Sequence, residues 1–248
     1  MPDRYDVVTA ASAGIGAALA EVLAQQGASV ILVARRQDAL QAVASRCAGR
    51  AHAVVADMSR RDDVRRVVDE SVEQFGRIDV WVNNVGQGIT RAPSELTDED
   101  IDEVMRMNVK TALYGMQEVL PHFKARNACQ IVNVSSLLGR MPFAVIRSAY
   151  SGAKHFLNAL TAMIRAEVQQ THPGIQISLV SPGVVRTDFG RNALHGGPDS
   201  RQLPDSQSAE EVAAVIAGVI ESRLPDVYTR RGAHDRIAGY YASVGVDP

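Results

Sequence analysis

Six short runs of β-branched and other apolar residues recur along the chain: "YDVVTA" (5–10), "SVILVA" (29–34), "RAHAVVA" (50–56), "IDVWVNN" (78–84), "QIVNVSS" (130–136) and "IQISLVS" (175–181). Most are apolar on both faces. A strand with one wet face alternates polar and apolar residues, so these runs suit strands covered on both sides, as in a parallel sheet. Between them lie segments of helical spacing near 14–27, 37–47, 60–75, 98–124 and 150–171. Regular alternation of this kind predicts a doubly wound α/β fold, a mostly parallel sheet with helices on both faces. A helix near 208–222 and a run "DVYTR" supply a seventh strand, with a short tail beyond. No linker interrupts the pattern, and 46% apolar residues are ample for one core, so residues 1–248 are expected to form a single domain.

The charge pattern narrows the partners. A formal net charge of -2, with acids and bases scattered, offers no field for nucleic acid or an anionic membrane surface. The apolar region from Val7 to Ala34 is broken by Glu21, Gln25 and Gln26, which argues against a membrane span. The opening "MPDRYDVVTA" does not read as a secretory signal, and Cys47 and Cys129 cannot make a disulfide framework. A cytoplasmic protein that meets small molecules or copies of itself fits these features. The six histidines are dispersed and imply no metal.

Between the first strand and the first helix stands "TAASAGIG", Thr9 to Gly16. Backbone N–H groups at a helix start suit a pyrophosphate, and Gly14 and Gly16 allow its close approach, with Ala11, Ser12, Ala13 and Ile15 lining the turn. A packing turn of small residues is the plainer alternative. At the end of the second strand, where an acid would mark NAD, the chain has Ala34, Arg35 and Arg36. Two guanidiniums with no carboxylate to repel a 2'-phosphate predict NADP over NAD. Solvated surface arginines are the alternative.

The chain has three lysines against 23 arginines, and one of them is Lys154 in "AYSGAK". Tyr150 and Lys154 stand four apart at a helix start, on one face. An adjacent ammonium favours a phenolate and so brings a phenol toward proton exchange near neutral pH. Upstream, "VNVSS" brings Ser135 and Ser136 to the carboxyl edge of the sheet, where open α/β sheets bind ligands and a hydroxyl can donate to a substrate carbonyl.

The order and spacing of "TAASAGIG", "NNVG" (83–86), Asn108 in "MRMNVK", "VNVSS", "YSGAK" and "SPGVVRTD" resemble the short-chain dehydrogenase/reductase family, over residues 9 to 188. The resemblance implies a Rossmann-type domain in which Asn108, Ser136, Tyr150 and Lys154 form the active site around a nicotinamide. Tyr150 would be the general acid in ketone reduction or the base in alcohol oxidation. Ser136 would orient the substrate oxygen, Lys154 would lower the tyrosine pKa and hold the nicotinamide ribose, and Asn108 would support a relay water. It also implies cofactor contacts at Asp57 and Met58, at Asn84, Val85 and Gly86, and at Pro182, Gly183, Val185 and Thr187. For Asp57 an acid near a helix start, and for Asn84 a tie between strands, are the structural alternatives.

Three positions depart from the family pattern. Ala10 stands where the family has a glycine, harmless only if φ there is negative. Val85 replaces a small residue. Ser136 precedes Tyr150 by one residue more than usual, so 137–149 must bulge, and Ser135 remains a candidate for the working hydroxyl.

These features predict an NADP-dependent oxidoreductase acting on a carbonyl or secondary alcohol. A carrier-protein-linked 3-ketoacyl reductase is an alternative, with Arg140, Arg147, Arg186 and Arg191 as its basic patch; a non-catalytic NADP-sensing protein is another. Specificity is expected in 137–148 and in the Gly- and Pro-rich loop 188–207, with Gly196 and Gly197 letting the loop close as a lid. A polar surface loop and tail is the plainer reading of His195, His234, Tyr240 and Tyr241, with a place in the pocket lining as the alternative. The family resemblance implies a homodimer or homotetramer, whereas Phe156, Leu160 and Met163 at helical spacing read as sheet-facing core.

Overall fold

The computed structural model describes residues 4–245. Its strands are β1 (Tyr5–Thr9), β2 (Ser29–Ala34), β3 (Ala51–Val55), β4 (Val80–Asn83), β5 (Gln130–Val134), β6 (Gln176–Ser181) and β7 (Asp226–Tyr228). Its helices are α1 (Gly14–Gln25), α2 (Gln37–Arg46), α3 (Arg61–Phe75), α4 (Asp98–Met105), α5 (Thr111–Arg126), α6 (Ser148–Gln169), α7 (Ala209–Ser222) and α8 (Ala233–Ser243). The strands form one sheet in the order β3-β2-β1-β4-β5-β6-β7, and every neighbouring pair is parallel.

Strand β2 shows why its run is apolar throughout. Val30, Leu32 and Ala34 join the core under α1, α2 and α7, with Leu19, Leu23, Leu40 and Ile216. Ile31 and Val33 join the opposite core under α3 and α5, with Val64, Val67, Met116 and Phe123. Each such fully buried side chain stabilises by roughly 1.5–3 kcal/mol. A polar residue on either face would forfeit that.

Strand order reverses at β1, so the carboxyl ends of β1 and β4 diverge and leave the crevice in which α/β sheets hold ligands. Beside it a buried polar ladder links β4 to β5 and α6. The Trp81 indole donates to Asn83 Oδ1 at 2.8 Å, Asn83 Nδ2 donates to Asn133 Oδ1 at 2.8 Å, and Asn133 Nδ2 donates to Thr161 Oγ1 at 2.9 Å. Every member is satisfied, as burial requires.

The structure corrects several expectations. The helix expected over 98–124 is two helices joined by a π-helical turn at Arg106–Lys110. Side chains bond the carbonyls around this widened turn: Asn108 Nδ2 donates to Val104 O and Thr111 Oγ1 to Met107 O, both at 2.9 Å. Beyond β7 the expected short tail contains α8, docked through Ala233 and Ile237 onto Leu137 and Met141. Phe156 and Met163 are not core; they are 51% and 65% exposed, and of that stripe only Leu160 packs inward. Helical spacing puts the three on one face without saying which way that face points.

Candidate active site

Three segments bring the four expected proton-transfer residues to the carboxyl edge of β4 and β5. Ser136 follows β5, Asn108 sits in the π-helical turn, and Tyr150 and Lys154 lie in the first turns of α6. Tyr150 is 6% exposed and Lys154 2% exposed. The Lys154 Nζ stands 5.7 Å from the Tyr150 ring centroid and donates to Val134 O at 3.0 Å. Gly86 is their meeting point: a methyl group there would lie 3.1 Å from Asn108 Oδ1 and 3.5 Å from Lys154 Nζ.

The two serines face opposite ways, as neighbours along an extended segment must. Ser135 Oγ donates to Asn158 Oδ1 at 2.5 Å and is buried under α6. Ser136 Oγ accepts from Leu138 N at 3.1 Å and hydrogen bonds with Tyr150.

Burial sets the titration of the pair. It pushes the Tyr150 phenol up to about 12, against the opposing hydrogen bond to Ser136 and the charge of Arg147. It pushes the Lys154 ammonium down to about 7. The charge that lowers the Tyr150 phenol is that of Arg147, three residues upstream. On its other side the Tyr150 ring meets Phe189 edge-on, 5.5 Å between centroids.

Both amide hydrogens of Asn108 are engaged. Besides Val104 O, its Nδ2 donates to Gln87 O at 2.8 Å, and its Oδ1 accepts from Gln87 N at 3.1 Å. It thereby pins the segment after β4 to the π-helical turn.

The glycine turn fits a bound dinucleotide. Ala13, the residue before α1, has no side chain able to cap it, and the first turn of α1 carries no acid, so the leading N–H groups are left for a ligand. Gly14 has φ +55°. A side chain on Gly16 would collide with the Ala10 carbonyl oxygen. Against this turn lies a cavity of about 520 Å³ bordered by Ser12, Ala13, Gly14 and Thr187. Thr187 approaches Gly14 closely, its Cγ2 3.1 Å from where a Gly14 Cβ would lie. Ala10 itself has φ +52°, so the condition for a harmless alanine is not met.

Other expected contacts divide. Thr9 and Asn84 tie β1 to β4: Thr9 Oγ1 donates to Val82 O and accepts from Asn84 N, both at 2.9 Å, and Asn84 Nδ2 donates to Thr9 O at 3.3 Å. Asp57 accepts from Ser59 N at 3.0 Å and Ser59 Oγ at 2.8 Å, closing the turn before α3. Burial raises the Asp57 carboxyl, but those bonds and the charges of Arg35 and Arg106 outweigh it and hold the group below its usual range. Ala11 and Met58 are buried in the two cores, while Ile15 and Val85 pack against them. Pro182 and Val185 are buried and Gly183 half-buried on the segment leaving β6. Arg35 and Arg36 are exposed at the end of β2, and Arg36 Nη2 donates to Ser12 Oγ at 3.2 Å.

The loop 188–207 is folded against the site. Leu194 bridges to Ile89, His195 Nε2 lies 2.6 Å from Asp100 Oδ1, and Arg201 pairs with Asp188 at 2.7 Å. His195, expected at the surface, joins this loop to the start of α4. Of the expected basic patch, Arg140 is held by Asp226, Arg191 by Asp199, and Arg147 by Ile89 O. Among the described residues no cluster of His, Cys, Asp and Glu suits a metal ion, and no helix is long and apolar enough to cross a membrane.

Comparison with known proteins agrees with this geometry. Residues 5–196 match the family model described as short chain dehydrogenase. An uncharacterized oxidoreductase of Staphylococcus saprophyticus is 34% identical over 86% of this chain and 90% of its own length. One of Bacillus subtilis is 30% identical over 78% of this chain, which spans 55% of that relative. Among solved structures, a short chain dehydrogenase/reductase from Burkholderia phymatum in complex with NAD superposes with a TM-score of 0.89 at 22% identity, over 100% of this chain and 98% of that one. A metagenomic short-chain oxidoreductase in complex with NADP gives 0.77 at 28% identity, over 92% and 97%.

Proposed function

The chain belongs to the short-chain dehydrogenase family, and from that membership we propose an NADP-dependent oxidoreductase that reduces the carbonyl of a free small molecule, with Tyr150 as its general acid. The observation that carries this reading is the convergence of Ser136, Tyr150 and Lys154 beside a glycine turn whose helix start is uncapped. When bound, the dinucleotide supplies the hydride.

The remaining chemistry falls to the chain. Tyr150, protonated at neutral pH because burial holds its pKa near 12, gives its proton to the carbonyl oxygen as charge develops there. The Ser136 hydroxyl accepts from Leu138 N, which leaves its own proton to donate to the same oxygen. Lys154 spends one of its donors on Val134 O, and its others would hold the ribose and resupply the phenol. Asn108 acts as a positioning residue, holding Gly86 and Gln87 in place.

NADP is favoured over NAD by Arg35 and Arg36, which are exposed at the end of β2 and carry forked donors that match a 2'-phosphate. A free small substrate is favoured over a carrier-linked one because Arg140, Arg147 and Arg191 already have protein partners. Tyr150→Phe should lower kcat for NADPH-dependent ketone reduction by about 10²–10⁴ while NADPH binding stays measurable. Unchanged turnover would remove Tyr150 from the mechanism.

A further inference from the structure

A second cavity, of about 410 Å³, opens between the loops that follow β5 and β7. Its walls include Leu137, Asp205, Thr229, Arg230, Arg231 and Arg236. Three guanidiniums thus meet a single carboxylate. None of the three has an ion-pair or hydrogen-bond partner for its side chain among the described residues. Arg140, one loop away, is by contrast held by Asp226. The walls are fixed: Leu137 packs with Met141, Ala233 and Ile237, and Thr229 exchanges hydrogen bonds with Gln207 at 2.6 and 3.0 Å. The cavity also meets the start of α8 at Ala233, the positive end of that helix.

This pocket borders the proposed chemistry. Leu137 directly follows Ser136 and donates its N–H to Pro182 O at 2.8 Å. The stem of Arg230 lies across Gly183, where a methyl group would sit 2.7 Å from Arg230 Cδ and 3.5 Å from Leu137 Cδ1. One wall thus joins the substrate-facing serine to unpaired guanidiniums.

We propose that this pocket binds a carboxylate or phosphate carried by the substrate, so that the chain prefers acidic carbonyl compounds to their neutral counterparts. The proposal rests on the oxidoreductase reading for its substrate. The recognition itself needs only the forked donors of Arg230, Arg231 and Arg236, which match an oxyanion in pairs.

The test compares 4-formylbenzoate with its methyl ester in NADPH-dependent reduction, together with calorimetric titration of benzoate and of phenyl phosphate into the NADPH-loaded protein. The wild type should favour the acid in kcat/KM by about tenfold or more, mainly through KM, and should bind at least one of the two anions. In the double variant Arg230→Gln, Arg231→Gln the acid-to-ester ratio should fall about tenfold and anion binding should weaken in step; Arg236→Glu should act in the same direction. Benzoate binding without phenyl phosphate binding assigns the pocket to carboxylates, and the converse assigns it to phosphates. Anion binding that the variants abolish, with neither aldehyde reduced, upholds the pocket and sinks the oxidoreductase reading instead. Reduction of both aldehydes with no preference for the acid, an unchanged ratio in the variants, or no anion binding by the wild type overturns the pocket.

Discussion

Asn158 accepts the Ser135 hydroxyl at 2.5 Å, and by doing so it separates two adjacent serines into different tasks. Ser135 is spent beneath α6, whereas Ser136 faces Tyr150. Ser136→Ala should therefore lower kcat by about tenfold to a hundredfold with little change in melting temperature. Ser135→Ala should leave a buried amide oxygen unpaired and cost about 1–3 kcal/mol of stability, read by denaturant unfolding, with kcat largely kept. The reverse pattern would reassign the working hydroxyl.

Cofactor choice is expected to follow the charge at the end of β2. Arg35→Asp replaces a donor with a repelling carboxylate, so NADPH affinity should drop by about tenfold to a hundredfold while NADH affinity holds or improves. Titration of both cofactors into both proteins checks it. An unchanged ratio would return Arg35 to the status of a solvated surface residue.

Strain is localised at Ala10, whose φ of +52° places a Cβ in the left-handed region. That conformation costs roughly 1–2 kcal/mol for a residue other than glycine, and the freedom a glycine adds to the unfolded chain offsets about 0.4–1 kcal/mol of any relief. Ala10→Gly should raise stability by a net of about 0.5–1 kcal/mol in thermal or urea unfolding. A loss of stability would show that the methyl group is needed where it is.

Lys154 should leave a signature in the dependence of stability on pH. Burial lowers its pKa from 10.5 to about 7, so between those values the unfolded chain holds the proton that the folded chain has lost. Stability due to this group therefore rises with pH from about 7 to 10.5, by on the order of a few kcal/mol. Lys154→Met should flatten that rise. Urea midpoints across the window would measure it, and a parallel curve for the variant would count against a buried amine.

Much of this was open to reading in the chain itself, because the relevant signals are local. Runs apolar on both faces suit covered strands, and the four-residue spacing of Tyr150 and Lys154 fixes a shared helix face. What escaped depends on distant contacts. The π-helical turn at Arg106–Lys110 is accompanied by side-chain bonds from Asn108 and Thr111 to carbonyls, which no propensity encodes. In α8 only Ala233 and Ile237 are buried, too sparse a stripe to announce a helix in "AHDRIAGYYAS". Arg230, Arg231 and Arg236 look like ordinary surface charge until β7 and α8 bring them around Leu137. Phe156 and Met163 show the converse limit, since a stripe gives a face but not its direction.

The polar ladder that starts at Trp81 carries a practical benefit. The chain has a single tryptophan, and it is sealed from solvent with its indole hydrogen bonded inside the sheet. All indole fluorescence thus originates at one address beside the ligand crevice. Its emission should shift to the red when β4 comes apart from its neighbours, and a reduced nicotinamide docking nearby should quench it by energy transfer, giving folding and cofactor capture one built-in optical gauge.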